Sequence, residues 1–107
     1  MERGLALARG LRDTRSIAIL AATTADVARC QGDFMRAAEL YEESMALYQE
    51  IGNHAEIPAI LHNQGYVALG MRDYAAAREL FAESLRRQHA AGNMAGVVEG
   101  INGLAAL

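Results

Sequence analysis

The sequence predicts an all-α protein, a stack of antiparallel helix hairpins in an α-solenoid of about six helices. Two observations carry this expectation. The first is an echo: GDFMRAAELYEESMALYQEIGN, from Gly32 to Asn53, returns forty residues later as RDYAAARELFAESLRRQHAAGN, from Arg72 to Asn93. A repeat of this length is the mark of stacked helical hairpins, because each hairpin has more apolar surface than its own two helices can hide and a neighbour buries the rest. The second is composition. Twenty-two residues are alanine and only one is proline, a balance that favours helix throughout.

The register runs through the whole chain. With Thr14–Asn53 laid over His54–Asn93, the identical pairs include Ile17/Ile57, Val27/Val67, Ala28/Ala68, Asp33/Asp73, Ala37/Ala77, Leu40/Leu80, Ser44/Ser84 and Asn53/Asn93, and no gap is needed. Tyr41/Phe81 and Met45/Leu85 exchange like for like. Leu5 and Leu7 fall on Met45 and Leu47, while Val97, Ile101 and Leu104 continue the set begun by Ile57 and Leu61. One domain, residues 1–107, is therefore expected: the second half of a repeat (1–13), whole repeats over 14–53 and 54–93, and the first half of another (94–107). An opening in mid-repeat suggests a piece of a longer protein.

Each element has a local reason. Glu2 to about Leu11 reads as a helix with Leu5, Leu7 and Leu11 inward, and Asp13 stands where an N-cap carboxylate can accept free backbone N–H groups. The next helix carries Ile17, Leu20, Ala21, Thr24, Ala28 and Cys30 or Gln31. It ends at Gly32, which can take the left-handed conformation, and Asp33 caps its successor. That helix buries Phe34, Ala37, Ala38, Leu40, Tyr41, Met45, Leu47 or Tyr48, and Ile51, at spacings of three and four. Gly52–Asn53 repeats the stop-and-cap pair. Pro58 lies in the first turn of the following helix, where its missing N–H costs little. Arg72 then stands in the place of Gly32, so either it accepts a left-handed backbone or Gly70 ends the helix early. Gly96, Gly100 and Gly103 each weaken the last helix by about 1 kcal/mol relative to alanine, so that alone it should be frayed.

Several classes of function are disfavoured. No apolar run approaches the ~18 residues of a spanning helix, and Met1 is followed by a charged, periodic stretch rather than a signal peptide. The net charge is −3 with a pI near 5.5, and Arg86–Arg87 is the sole adjacent basic pair, so there is no stripe to neutralise phosphates. The single cysteine, Cys30, fits a reducing cytoplasm and reads as a small apolar residue near a helix end. His54-Ala55-Glu56 superficially matches the start of a zinc deaminase, but no cysteine pair follows. His54, His62 and His89 lack metal-ligand spacing, and no glycine loop could cradle phosphate. No catalytic, metal or cofactor site is expected.

Leu61, Gly65, Ala68, Ala77, Phe81 and Ser84 resemble the signature of the tetratricopeptide repeat, a helix–turn–helix of about 34 residues. Ala25, Ala28, Ala37, Tyr41 and Ser44 fill the same places one repeat earlier, and Ile101, Leu104 and Ala105 begin them one later. The period of forty is a departure, as are Ala25 in place of the usual glycine and His89 in place of a proline. The longer form is similar to segments of bacterial ATP-dependent regulators of the LuxR and MalT type, and to repeats in kinesin light chain and polarity adaptors. The resemblance implies a right-handed superhelical stack with first helices lining a concave groove for an extended or helical peptide.

By position, the implied groove residues are Ile19, Ala22, Thr23, Asp26 and Arg29, then His62, Asn63, Tyr66 and Leu69, then Glu99 and Asn102. Asn63 stands where an asparagine in related repeats hydrogen-bonds the peptide backbone; its alternatives are a bond to a neighbouring helix turn or to water. The chain has no lysine, so the clamp that holds a C-terminal carboxylate in some relatives is not expected. Two functions follow. One is a non-catalytic protein- or peptide-binding module, a fragment of a larger signalling or transcriptional regulator. The other is self-association, a homodimer or stack through Val97, Val98, Ile101, Leu104 and Leu107, whose apolar face has no capping partner.

Overall fold

The computed structural model describes residues 14–105, and within them all regular structure is helical. The helices are α1 (Thr14–Cys30), α2 (Phe34–Glu50), α3 (Ile57–Gly70), α4 (Tyr74–Ala90) and α5 (Met94–Ala105), with a 3-10 turn at His54–Glu56 before α3. Residues 1–13, with the expected helix and the Asp13 cap, lie outside the described residues, as does Leu107. The chain divides into two compact units, Met1–His54 and Ala55–Leu107. In the first, α1 packs on α2; in the second, α3 packs on α4, and α5 packs on both.

All four inter-helix turns share one backbone device. At the end of α1 the Gly32 N–H donates to the Arg29 carbonyl (3.0 Å) and the Asp33 N–H reaches back to Ala28 (2.8 Å). The N–H groups of Asn53, Asp73 and Asn93 repeat the five-residue reach to Tyr48, Ala68 and Gln88 at 2.9 Å, with the three-residue bond beside each at 3.0–3.1 Å. This pairing satisfies carbonyls left over at a helix end and requires one residue with positive φ. Gly32, Gly52 and Gly92 supply it at 81°, 73° and 73°; at the third turn Arg72 does, at 62°. Of the two alternatives for Arg72, the left-handed backbone holds, and α3 runs to Gly70.

The caps differ more than the stops. Asp33, Asp73 and Asn93 accept from the N–H of Arg36, Ala76 and Gly96 at 3.4, 3.2 and 3.1 Å. Asn53 does not cap α3. The 3-10 turn intervenes, Glu56 takes the N-cap position without a side-chain bond, and Pro58 sits at the start of the helix where no N–H is wanted.

Small residues make the helix crossings. Ala18, Ala21, Ala25 and Ala37 are fully buried in the first unit, and Ala77 is in the second. At each crossing a serine hydroxyl donates to a carbonyl of the preceding helix: Ser44 to Ala18, and Ser84 to Pro58, both at 2.7 Å and both buried. The two bonds are related by the forty-residue shift. Tyr41 and Phe81 are the largest fully buried side chains. Of the α2 pair, Tyr48 is buried and Leu47 only half-buried. Ile51, expected to face the core, and Cys30 are exposed, because each falls in the last turn where the chain leaves its partner helix.

In α5 the glycines have a tertiary use. Its three glycines are its buried residues, and they form the row laid against α4. A Cβ at Gly103 would stand 2.6 Å from the Phe81 ring, one at Gly100 3.1 Å from the Leu85 Cβ, and one at Gly96 would collide with the Gln88 side chain. Absent side chains let the two backbones approach, so the propensity lost at each glycine is offset by contact. A helix that alone should fray is packed closely against α4.

Candidate functional site

The implied groove residues fall into three sets. In the first unit Asp26 and Arg29 lie one turn apart on α1. The Tyr41 hydroxyl, arriving from α2, donates to the Asp26 carboxylate and accepts from the Arg29 Nε at 3.2 Å. Arg29 and Asp26 also approach as an ion pair at 4.0 Å, with the Asp26 side chain about half exposed. Burial, and then the bond to Asp26, raise the Tyr41 phenol well above its ordinary value. Burial alone would lower the Arg29 guanidinium; the Tyr41 bond and the neighbouring negative groups outweigh it and leave it raised. Tyr41 stays neutral and Arg29 stays charged across the physiological range. The chemistry of this brace is positional: a phenol anchored in the core fixes two charged side chains on α1.

In the second unit Tyr66 takes the place of Asp26 and Leu69 that of Arg29. His62 and Tyr66 on α3 meet edge to face, with centroids 5.0 Å apart and planes at 87°. Both also meet Phe81 from α4, at 5.2 and 5.1 Å. Edge-to-face contacts of this kind add about 0.5–1.5 kcal/mol beyond burial. Phe81 lies close against Gly65, whose Cβ would stand 2.6 Å from the ring. Tyr66 and Leu69 pack on the cluster of Ala68, Ala77 and Phe81, with Leu104 from α5 on the same cluster. Asn63 is half-buried on α3. Each of His62, Tyr66 and Leu69 therefore has a packing role as well as any role toward a ligand.

Glu99 and Asn102 are exposed on α5. The structure thus joins Asp26 to Arg29 through Tyr41 and His62 to Tyr66 through ring contacts. Of the self-association residues, Val97 is half-buried, Leu104 is partly spent on the second unit's core, and Ile101 is exposed. Sequence reasoning overlooked Met94, which is exposed with Val98 and Ile101 on one side of α5. The signal was present: the three follow at spacings of four and three, one face of a helix.

On α4, Glu83 accepts from Arg86 (2.6 Å) and Arg87 (2.9 Å), and these bonds, Arg86's first, hold its carboxyl below the usual range. A shallow furrow lies beside this cluster, lined by Leu61, Ala76, Leu80, Ala82, Glu83 and Arg86. None of the implied groove residues lines it. Among the described residues no group of three or more His, Cys, Asp or Glu could hold a metal ion, and no helix is long and apolar enough to cross a membrane.

Against known proteins, the family model described as tetratricopeptide repeat matches residues 3–89. No curated protein matches the chain.

Proposed function

The chain belongs to the tetratricopeptide repeat family, and from that premise we propose that it binds a peptide or protein segment along its first helices, with α3 as the principal contact. Members of this family generally mediate protein–protein interaction and are generally not catalysts. The observation that carries the proposal is the make-up of α3, where Asn63 stands beside a His62–Tyr66 pair held edge to face on Phe81. Rings fixed by packing lose little freedom on binding, and an amide offers a peptide backbone both a donor and an acceptor. Asp26 and Arg29, held by Tyr41, give α1 a fixed pair of opposite charges for polar contacts. Glu99 and Asn102 extend the polar surface on α5. A place within a larger signalling or transcriptional regulator, in the cytoplasm, accords with the forty-residue phrasing of the repeat.

The test is selection of binders from a random peptide library on the wild-type chain, followed by titration against Asn63→Ala and Tyr66→Ala. About tenfold weaker binding or more by Asn63→Ala is expected, equivalent to roughly 1.4 kcal/mol. Equal affinity of both variants with retained fold would refute the assignment.

A second use, self-association, is favoured by one observation: Met94, Val98 and Ile101 stand exposed by 66, 54 and 53% along one side of α5.

A further inference from the structure

The outward faces of α2 and α4 break the repeat in one respect. At the forty-residue shift their buried positions agree, Ala37 with Ala77, Tyr41 with Phe81 and Ser44 with Ser84, but their charges do not. On α2 stand Glu39, Glu42, Glu43 and Glu50 against a single Arg36; on α4 stand Arg78, Arg86 and Arg87 against Glu79 and Glu83.

Within that difference lies a matched spacing. On α2, Ala46 is exposed, with Glu42 four residues before it and Glu50 four after, both exposed. On α4, Ala82 is half-buried, with Arg78 four before and Arg86 four after, both exposed. Residues four apart share a helix face, and eight residues span about 12 Å. Each helix thus holds two like charges about 12 Å apart around a small residue, negative on α2 and positive on α4. Arg78, Ala82 and Arg86 also line the shallow furrow on α4. The hairpin cores use the other sides of these helices, through Tyr41 and Ser44 on α2 and Phe81 and Ser84 on α4.

We propose that α2 of one copy docks on α4 of a second copy, with Ala46 over Ala82, Glu42 against Arg86 and Glu50 against Arg78. Small residues at the crossing let the backbones approach, and the flanking charges choose the partner and fix the register. The antiparallel direction follows from the neighbours. It brings Gln49 to Glu79 and Glu39 to His89, whereas a parallel pair would oppose the carboxylates of Glu43 and Glu79. Within one copy Arg86 is paired with Glu83 at 2.6 Å, but that pair is exposed and gains little in water. If Arg86 turns to Glu42 of the second copy, Glu83 keeps its bond from Arg87 at 2.9 Å. This contact uses neither the α3 site nor the side of α5 that carries Val98 and Ile101.

Sedimentation over a range of concentrations tests this with two charge-reversed chains, Glu42→Arg with Glu50→Arg and Arg78→Glu with Arg86→Glu. All four positions are exposed, and circular dichroism checks that the variants fold. The wild-type chain should self-associate, and each reversal should weaken that about tenfold or more, because it sets like charges against each other. Mixing the two reversed chains should restore association, since arginines on α2 of one then face glutamates on α4 of the other. In a Cys30→Ser background, Ala46→Cys mixed with Ala82→Cys should give the 46–82 disulfide in excess over the 46–46 and 82–82 products. A wild-type chain monomeric throughout, or a mixture no better associated than either reversed chain alone, would overturn the proposal. So would association abolished by Ile101→Asp but untouched by the reversals. Peptide affinity at α3 is read separately through Asn63→Ala, so failure here leaves that assignment standing, and the reverse.

Discussion

At the crossing of α1 and α2 the buried ring is Tyr41, and its hydroxyl is tied to Asp26 and Arg29. At the crossing of α3 and α4 the ring is Phe81, with His62 and Tyr66 set edge-on around it and Gly65 beneath. The serine-to-carbonyl bond beside each ring has the same partners by register and the same 2.7 Å length. What differs is the residue on the facing helix: Asp26 becomes Tyr66, Arg29 becomes Leu69, and Ala25 becomes Gly65. The hairpin is thus held by a constant element that joins backbone to side chain, and a variable element sets the chemistry of the first helix's surface. One repeat presents anchored charge and the other presents rings.

Truncation gives the largest effect and tests how alike the two rings are. Phe81→Ala should cost about 3–5 kcal/mol in urea unfolding, since the ring fills the space between Gly65 and Gly103 and helix backbones on both sides cannot collapse freely. A loss under 1 kcal/mol would mean that the ring does not hold α5 to α4.

Exchanging the rings sharpens the contrast. Phe81→Tyr brings a hydroxyl into a fully buried site against glycine backbone and should cost about 1–3 kcal/mol. Tyr41→Phe removes the brace but leaves Asp26 half-exposed and able to hydrate, so about 0.5–1.5 kcal/mol is expected. Equal losses would show that the polar brace and the aromatic cluster are interchangeable.

The constant element should respond alike in both hairpins. Ser44→Ala and Ser84→Ala each delete one buried hydroxyl and one bond, for about 1 kcal/mol apiece. Unequal losses would mean that Pro58, which leaves the helix start short of one N–H, changes the value of the bond its carbonyl accepts. The smallest effect lies in the turns. Arg72→Gly relieves a left-handed arginine but adds freedom to the unfolded chain, so a net gain of about 0.5–1 kcal/mol is expected, and Gly32→Arg should lose a similar amount.

These differences mark how far the sequence could be read. The hairpins, the stops at Gly32 and Gly52, and the cap at Asp33 were legible because each depends on residues within a few positions of one another. The α3 N-terminus was not, since a 3-10 turn satisfies groups that Asn53 could equally have capped. Ile51 and Cys30 match the apolar spacing of their helices yet are exposed, because periodicity reports a face and not where the partner helix ends. The link of Asp26 and Arg29 to Tyr41 joins positions fifteen and twelve residues apart, beyond any local pattern.

The sequence by itself determined that this protein is a succession of paired helices, because helix formation and helix termination are written in short-range spacing and in residues that permit or forbid a backbone angle. Tertiary structure alone decided what the last helix is. Gly96, Gly100 and Gly103 are a defect in an isolated helix and a contact surface beside Gln88, Leu85 and Phe81. A missing side chain has no value until another backbone approaches it.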